Sequence, residues 1–123
     1  MPLEILAEPA NPSTLALVGR LDSSTAPELD AVLDRVLKNA PLPRLVFDLS
    51  RLEYLSSAGI RCFVRARKAI EPAGGEVAIV NPQPPVRKVL DIVKAIPAEN
   101  VFESVDELDA YLDVMQRKVR EGR

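Results

Sequence analysis

The apolar residues of this chain change their spacing repeatedly, and that alternation limits the fold more than any other feature. Leu29, Val32, Leu33, Val36 and Leu37 recur at helical intervals and form one face of an amphipathic helix. Leu45-Val46-Phe47-Asp48-Leu49 then reads as a buried strand. Ile60, Phe63, Val64 and Ile70 give a second helical face, with Arg61, Arg65, Arg67 and Lys68 mostly outside. Glu76 to Val80 is another strand, and Val86, Val89, Leu90 and Val93 return to helical spacing. Strands that alternate with helices require right-handed crossovers and a partly parallel sheet.

The ends extend the pattern. Leu3 to Ala7 and Thr14 to Val18 are short apolar runs around the turn signal Asn11-Pro12-Ser13, which predicts an antiparallel hairpin. Thr25 with Glu28 reads as a capping box, with Pro27 in the first turn, and Pro41 and Pro43 end that helix. Ser50 to Leu55 reads as a loop, and Ser56-Ser57-Ala58-Gly59 opens the second helix. Glu71-Pro72-Ala73-Gly74-Gly75 breaks it. Ile96-Pro97 stops the third helix, Val101-Phe102 reads as a two-residue edge strand, and Ser104 with Glu107 opens a last helix through Leu108, Leu112, Met115 and Val119. The predicted fold is α/β: a mixed four- to five-stranded sheet with an N-terminal antiparallel hairpin and about four packed helices. Leu33, Val46, Phe63, Val64, Ile79 and Leu90 are its expected core. The 123 residues are expected to form one domain, 1–123.

Composition narrows the function. Lys and Arg number 16 against 18 Asp and Glu, so no basic excess exists to neutralise phosphates, and nucleic-acid binding is disfavoured. There is no His, which removes imidazole metal ligands and the usual base near neutral pH. Cys62 is the lone cysteine, so neither an internal disulfide nor a thiolate zinc cluster can form, and it is expected to pack as a small apolar residue. Gly74-Gly75 lacks the spacing and basic residue of a nucleotide loop. No cofactor, no metal and no enzymatic activity are expected. The N-terminus lacks the features of a signal peptide, and no apolar run approaches the ~18–20 residues of a membrane span. A cytoplasmic protein without direct membrane insertion is therefore expected.

In sheets of this kind functional groups collect outside the carboxyl ends of the strands. Asp22 and the segment Ser56-Ser57-Ala58-Gly59 qualify. A serine at a helix start faces unpaired N–H groups and the positive end of the helix dipole, which would stabilise a phosphoryl group attached to it. The plainer reading is that such a serine is only a cap and Asp22 only a turn residue. The arginines of the second helix are, on the same plain reading, a solvated face.

The run Leu17-Val18-Gly19-Arg20-Leu21-Asp22, then Thr25-Ala26 and a helix, resembles the opening of a STAS domain. So do Val46-Phe47-Asp48-Leu49-Ser50 and Leu52-Glu53-Tyr54-Leu55-Ser56-Ser57-Ala58-Gly59-Ile60-Arg61. Gly74-Gly75-Glu76 through Asn81-Pro82, then Val86-Arg87-Lys88-Val89-Leu90, is similar to the family's fourth strand and following helix. Within that family the chain resembles a stand-alone anti-anti-sigma factor, an anti-sigma factor antagonist. The resemblance implies a partner switch. A serine kinase that is also the anti-sigma factor would bind the unphosphorylated chain and phosphorylate one serine, and a PP2C-type phosphatase would reset it.

Aligning on Gly59 puts the implied phosphoacceptor at Ser57. The preceding position, usually Asp in the family, is Ser56, which leaves Ser56 as the alternative. Asp22 and Gly59 correspond to the phosphosite surroundings, and Ser56, Ser57, Ile60 and Tyr54 to the partner-binding surface. Residues 94–100 depart from the family's shorter, Gly-containing turn. The alternative function is a non-switching STAS accessory subunit or scaffold, for example of a lipid-transport ATPase, in which the serine would be structural.

Overall fold

The computed structural model describes residues 3–8, 11–38, 44–93 and 101–102. Five strands form one sheet in chain order: β1 (Leu3–Glu8), β2 (Asn11–Leu21), β3 (Arg44–Leu55), β4 (Glu76–Val80) and β5 (Val101–Phe102). β1 and β2 are antiparallel, and β2–β3, β3–β4 and β4–β5 are parallel, as the sequence pattern predicts. Among the described residues three helices pack with them: α1 (Ala26–Lys38), α2 (Ser57–Ile70), closed by a 3-10 turn at Glu71–Ala73, and α3 (Pro84–Val93). The predicted fourth helix, the helix stops at Pro41, Pro43 and Ile96-Pro97, and residues 94–100 lie outside the described residues.

One buried cluster joins alternate strand positions to the three helices. Leu15, Leu17, Leu45, Phe47, Leu49, Val77 and Ile79 meet Leu29 and Leu33 of α1, Phe63 and Ala66 of α2, and Val86 and Leu90 of α3. The Phe47 and Phe63 rings lie 4.7 Å apart at 52°, a tilted arrangement that favours aromatic pairs. Val46, Ala78 and Val80 are buried outside this cluster, in the alternate positions of β3 and β4. Strands buried on both faces match the near-continuous apolar runs of β3 and β4. Val64 is the exception among the predicted core residues: it sits at the margin of the apolar face of α2 and is half-buried. Across the two helices Arg65 bridges Asp30 and Asp34 of α1, with Arg65 Nη1 donating to Asp30 Oδ1 at 3.0 Å.

Three local predictions are corrected. Asn11-Pro12-Ser13 begins β2 and is not the hairpin turn, because strand pairing persists to Glu8 opposite Asn11. Ser50–Leu55 is strand, not loop. Ala16 pairs with Asp48 and Val18 with Arg51, then Gly19 with Leu52 and Arg20 with Tyr54. β3 therefore carries one extra residue at each shift, and its buried leucines fall at 49, 52 and 55. Each such bulge re-aims the strand by one residue, which hides the two-residue alternation from the sequence. Gly19, at φ 106°, supplies the left-handed backbone beside the second shift.

The third correction concerns the Thr25–Glu28 capping box. Glu28 N–H donates to the Thr25 carbonyl at 2.9 Å, while Thr25 Oγ1 donates to the Arg20 carbonyl and accepts from Asp22 N–H, each at 2.9 Å. The turn already closes at Asp22, whose carbonyl accepts from Ala26 N–H at 2.8 Å. That draws Thr25 inward, to 5% exposure, and leaves it no cap to form.

Candidate functional site

The parallel strands β2 and β3 end together, with Leu21 opposite Leu55, so the turns that follow them share one edge of the sheet. Ser56 N–H donates to the Leu21 carbonyl at 2.9 Å and ties the two exits together. Asp22 and Ser57 are each the next residue beyond this bonded pair. The structure thus brings the two ends of the predicted site to one place.

Ser56 occupies the N-cap position of α2 in an extended conformation, φ −105° and ψ 174°, and its carbonyl accepts from Ile60 N–H at 3.0 Å. Its side chain makes no capping bond, and its Oγ is buried without a hydrogen-bond partner among the described residues. Ser57 is the first residue of the helix and is exposed. Gly59 explains how closely α2 sits on the strands. A Cβ there would lie 2.6 Å from Leu21 Cγ and 2.7 Å from Leu55 Cδ1, so only glycine allows this approach.

Asp22 is held in its own turn. Its Oδ1 accepts from Ser24 N–H at 3.0 Å, Ser24 Oγ–H at 2.8 Å and Thr25 N–H at 3.1 Å. The Ser24 hydroxyl is the largest influence keeping this carboxyl below its ordinary range. Partial desolvation opposes it, and the two N–H groups add to it. Asp22 is ionised at neutral pH and presents Oδ2 3.9 Å from Arg20 Nε. Asp22 is thus a turn residue, and the turn holds its carboxylate at the edge where β2 and β3 end.

Tyr54 is 41% exposed, and the Arg20 guanidinium stacks on its ring at 4.2 Å. Sequence reasoning named Tyr54 and missed Arg20. The signal lies in the register, since Arg20 pairs with Tyr54 across β2 and β3, but the two bulges conceal that pairing. Ile60 is a correction. At 6% exposure its side chain belongs to the core, because the face of α2 that carries Gly59, Ile60 and Phe63 is pressed against the strands. Cys62 is also buried. Desolvation is the chief cause that pushes its thiol up to about 12, and its Sγ lies 3.6 Å from the Ala58 carbonyl, so it is no nucleophile. Among the described residues no cluster of three or more Cys, Asp or Glu side chains could hold a metal, and no helix is long and apolar enough to cross a membrane.

The STAS domain family model matches residues 6–108. The chain belongs to the STAS domain family. The anti-sigma F factor antagonist of Paenibacillus polymyxa is 28% identical over 97 residues, spanning 76% of this chain and 83% of that protein. A solved anti-sigma factor antagonist from Mycobacterium paratuberculosis superposes with a TM-score of 0.72 at 25% identity, over 88% of this STAS domain and 92% of that chain. The Bacillus cell fate determinant SpoIIAA has been solved in both phosphorylation states. Its unphosphorylated form gives a TM-score of 0.71 at 18% identity over 90% of this chain and 96% of that one. Its phosphorylated form gives 0.65 at 17%, over 89% and 98%. The STAS fold, with its mixed sheet and N-terminal hairpin, is therefore the fold of this chain, and no enzymatic family is indicated.

Proposed function

We propose that this chain, read as a single STAS domain over residues 1–123, is a cytoplasmic anti-sigma factor antagonist. It works as a phosphorylation-controlled partner switch with Ser57 as its phosphoacceptor. The observation that carries this reading is the contrast between the two serines: Ser57 is exposed at the first position of α2, whereas the Ser56 hydroxyl is buried. A kinase must reach the hydroxyl it modifies. The names of the Paenibacillus and Mycobacterium relatives support the antagonist role, and the phosphorylated SpoIIAA structure supports the switch.

The unmodified chain binds a serine-kinase anti-sigma factor through the edge formed by Ser57, Tyr54 and Arg20. Ser57 Oγ attacks the γ-phosphorus of ATP in the kinase, the bond to ADP breaks, and the hydroxyl proton leaves to a base of the kinase. The Asp22 carboxylate helps to orient that exchange. A PP2C-type phosphatase hydrolyses the phosphoserine and resets the chain. The phosphate adds about −1.5 to −2 charge at a helix N-terminus, which favours negative charge, so the fold persists. Binding does not, because the kinase then faces a desolvated and unpaired charge.

Calorimetric titration of the cognate kinase tests this. Ser57→Ala should bind like the parent chain and escape modification. The phosphorylated chain should lose about 3–4 kcal/mol, a factor of several hundred, and Ser57→Asp part of that. Unchanged binding by both the phosphorylated chain and Ser57→Asp would overturn the switch.

A further inference from the structure

We propose that Arg61 is the built-in counter-ion of the Ser57 phosphate, clamping it onto the first turn of α2 once it is attached. The proposal rests on the reading of Ser57 as the phosphoacceptor. Ser57, Arg61 and Arg65 are exposed at four-residue intervals along α2. Residues four apart on a helix have Cβ atoms roughly 5–6 Å apart, and long helical side chains lean toward the N-terminus. That lean puts a phosphate on Ser57 within reach of the Arg61 guanidinium.

The charges around Arg61 are already committed elsewhere. Arg65, one turn on, is held by Asp30 and Asp34 of α1. Asp22 accepts from Ser24 and Thr25 and lies near Arg20. The Cys62 thiol is neutral. Arg61 itself makes no hydrogen bond or ion pair among the described residues. It lines a cleft of about 410 Å³ between α1 and α2, together with Ser23, Pro27, Asp30 and Ala58. A free guanidinium one turn below an exposed serine, among acids that are already paired, lacks only an anion. A phosphate offers it the bidentate acceptor geometry it favours. Ser57 and Arg61 then act as a unit: modification releases the partner and at once gives the new charge a fixed intramolecular ligand. The phosphatase must displace that ligand before it can act.

The test separates this clamp from the serine assignment. Phosphoserine is installed at position 57 of the full chain by codon reassignment, without any kinase, and its second ionisation is followed by ³¹P NMR titration. Phosphoserine ordinarily titrates near pH 6. A cation within a few ångströms lowers that value, so Arg61→Gln should raise it by about half a unit or more. Arg61→Lys should restore most of the shift, and Lys68→Gln, at the far end of α2, should change nothing. In the chain carrying Arg61, high salt should reproduce part of the Arg61→Gln effect.

A titration in Arg61→Gln that coincides with the parent would overturn the clamp. So would an Arg61→Gln variant that weakens the unmodified complex with no change in the titration, since Arg61 would then belong to the partner's interface. Phosphopeptide mapping of the chain purified from its own cells tests Ser57 separately. Phosphate found on another serine removes the assignment, whereas phosphate on Ser57 with a titration indifferent to Arg61 removes only the clamp.

Discussion

The turns after β2 and β3 present similar chemistry to the same edge of the sheet, yet they are built in opposite ways. After β2, Asp22-Ser23-Ser24-Thr25 leads into α1 with the side chains of Asp22, Ser24 and Thr25 hydrogen-bonded to one another or to the backbone. The Asp22 carboxylate accepts from both Ser24 and Thr25, and Thr25 Oγ1 both donates and accepts. After β3, Ser56-Ser57 leads into α2 almost bare. The Ser56 hydroxyl has no partner among the described residues, and Ser57 is exposed. A hydroxyl engaged in its own turn is scaffolding. A hydroxyl the fold leaves unengaged at a helix start is available to something else. Local sequence does not separate the two cases, because both read as a small polar residue before an amphipathic stretch.

The largest effect that would break the comparison is at Thr25. Thr25→Val is close in shape but removes the buried hydroxyl, leaving the partly buried Arg20 carbonyl and Asp22 N–H without their partner. Orphaned groups of this kind cost about 1–3 kcal/mol each, and the N–H regains part of its loss from solvent. A loss of about 2–3 kcal/mol in urea denaturation with an unchanged m-value is expected. If the variant is as stable as the parent chain, the first turn does not depend on its hydroxyl and the contrast with the second collapses.

The next effect sharpens the second turn. Gly59→Ala places a Cβ against Leu21 and Leu55, which are themselves almost fully buried and have no room to yield. Overpacking of this kind costs about 1–3 kcal/mol, offset by about 0.5–1 kcal/mol that alanine gains over glycine in a helix. A net loss of about 1–2 kcal/mol in the same denaturation measurement is expected. A variant more stable than the parent would show that α2 can lift off the strands without strain, and that the position of Ser57 is less fixed than the structure implies.

These turns also mark where the sequence is readable. The helices α1, α2 and α3 and the strand β4 follow directly from apolar spacing, because each meets the core through one regular face. Even the short β5 is legible as Val101-Phe102. What escapes is irregular backbone. Two bulges make β3 bury every third residue near its end, so Ser50, Arg51, Glu53 and Tyr54 imitate a loop. The Arg20–Tyr54 stack was hidden for the same reason. Ile60 is a different case: the helical spacing already puts it on the apolar face of α2, the family resemblance puts it on the partner-binding surface, and its burial agrees with the spacing. The Thr25–Glu28 pattern satisfies the rule for a capping box, but the turn at Asp22 reaches the same groups first.

The smallest effect is the most discriminating. A serine at an N-cap normally accepts a bond from the second or third helical N–H, and its replacement by alanine costs about 0.5–2 kcal/mol. Ser56 holds that position with helical geometry after it and extended geometry at it, but its side chain makes no such bond. Its Oγ has been removed from water and finds no partner among the described residues. Deleting the hydroxyl therefore removes a desolvated group and no interaction, while the backbone bonds from Ser56 N–H to Leu21 and from Ile60 N–H to Ser56 survive the substitution. Ser56→Ala should change stability by less than about 0.5 kcal/mol, with a small gain as readily as a small loss. Because the group is absent from the surface, modification of Ser57 by the cognate kinase should keep its rate. A loss near 1 kcal/mol would make Ser56 a working cap, and a loss of kinase modification would move the reactive hydroxyl one residue back along the chain.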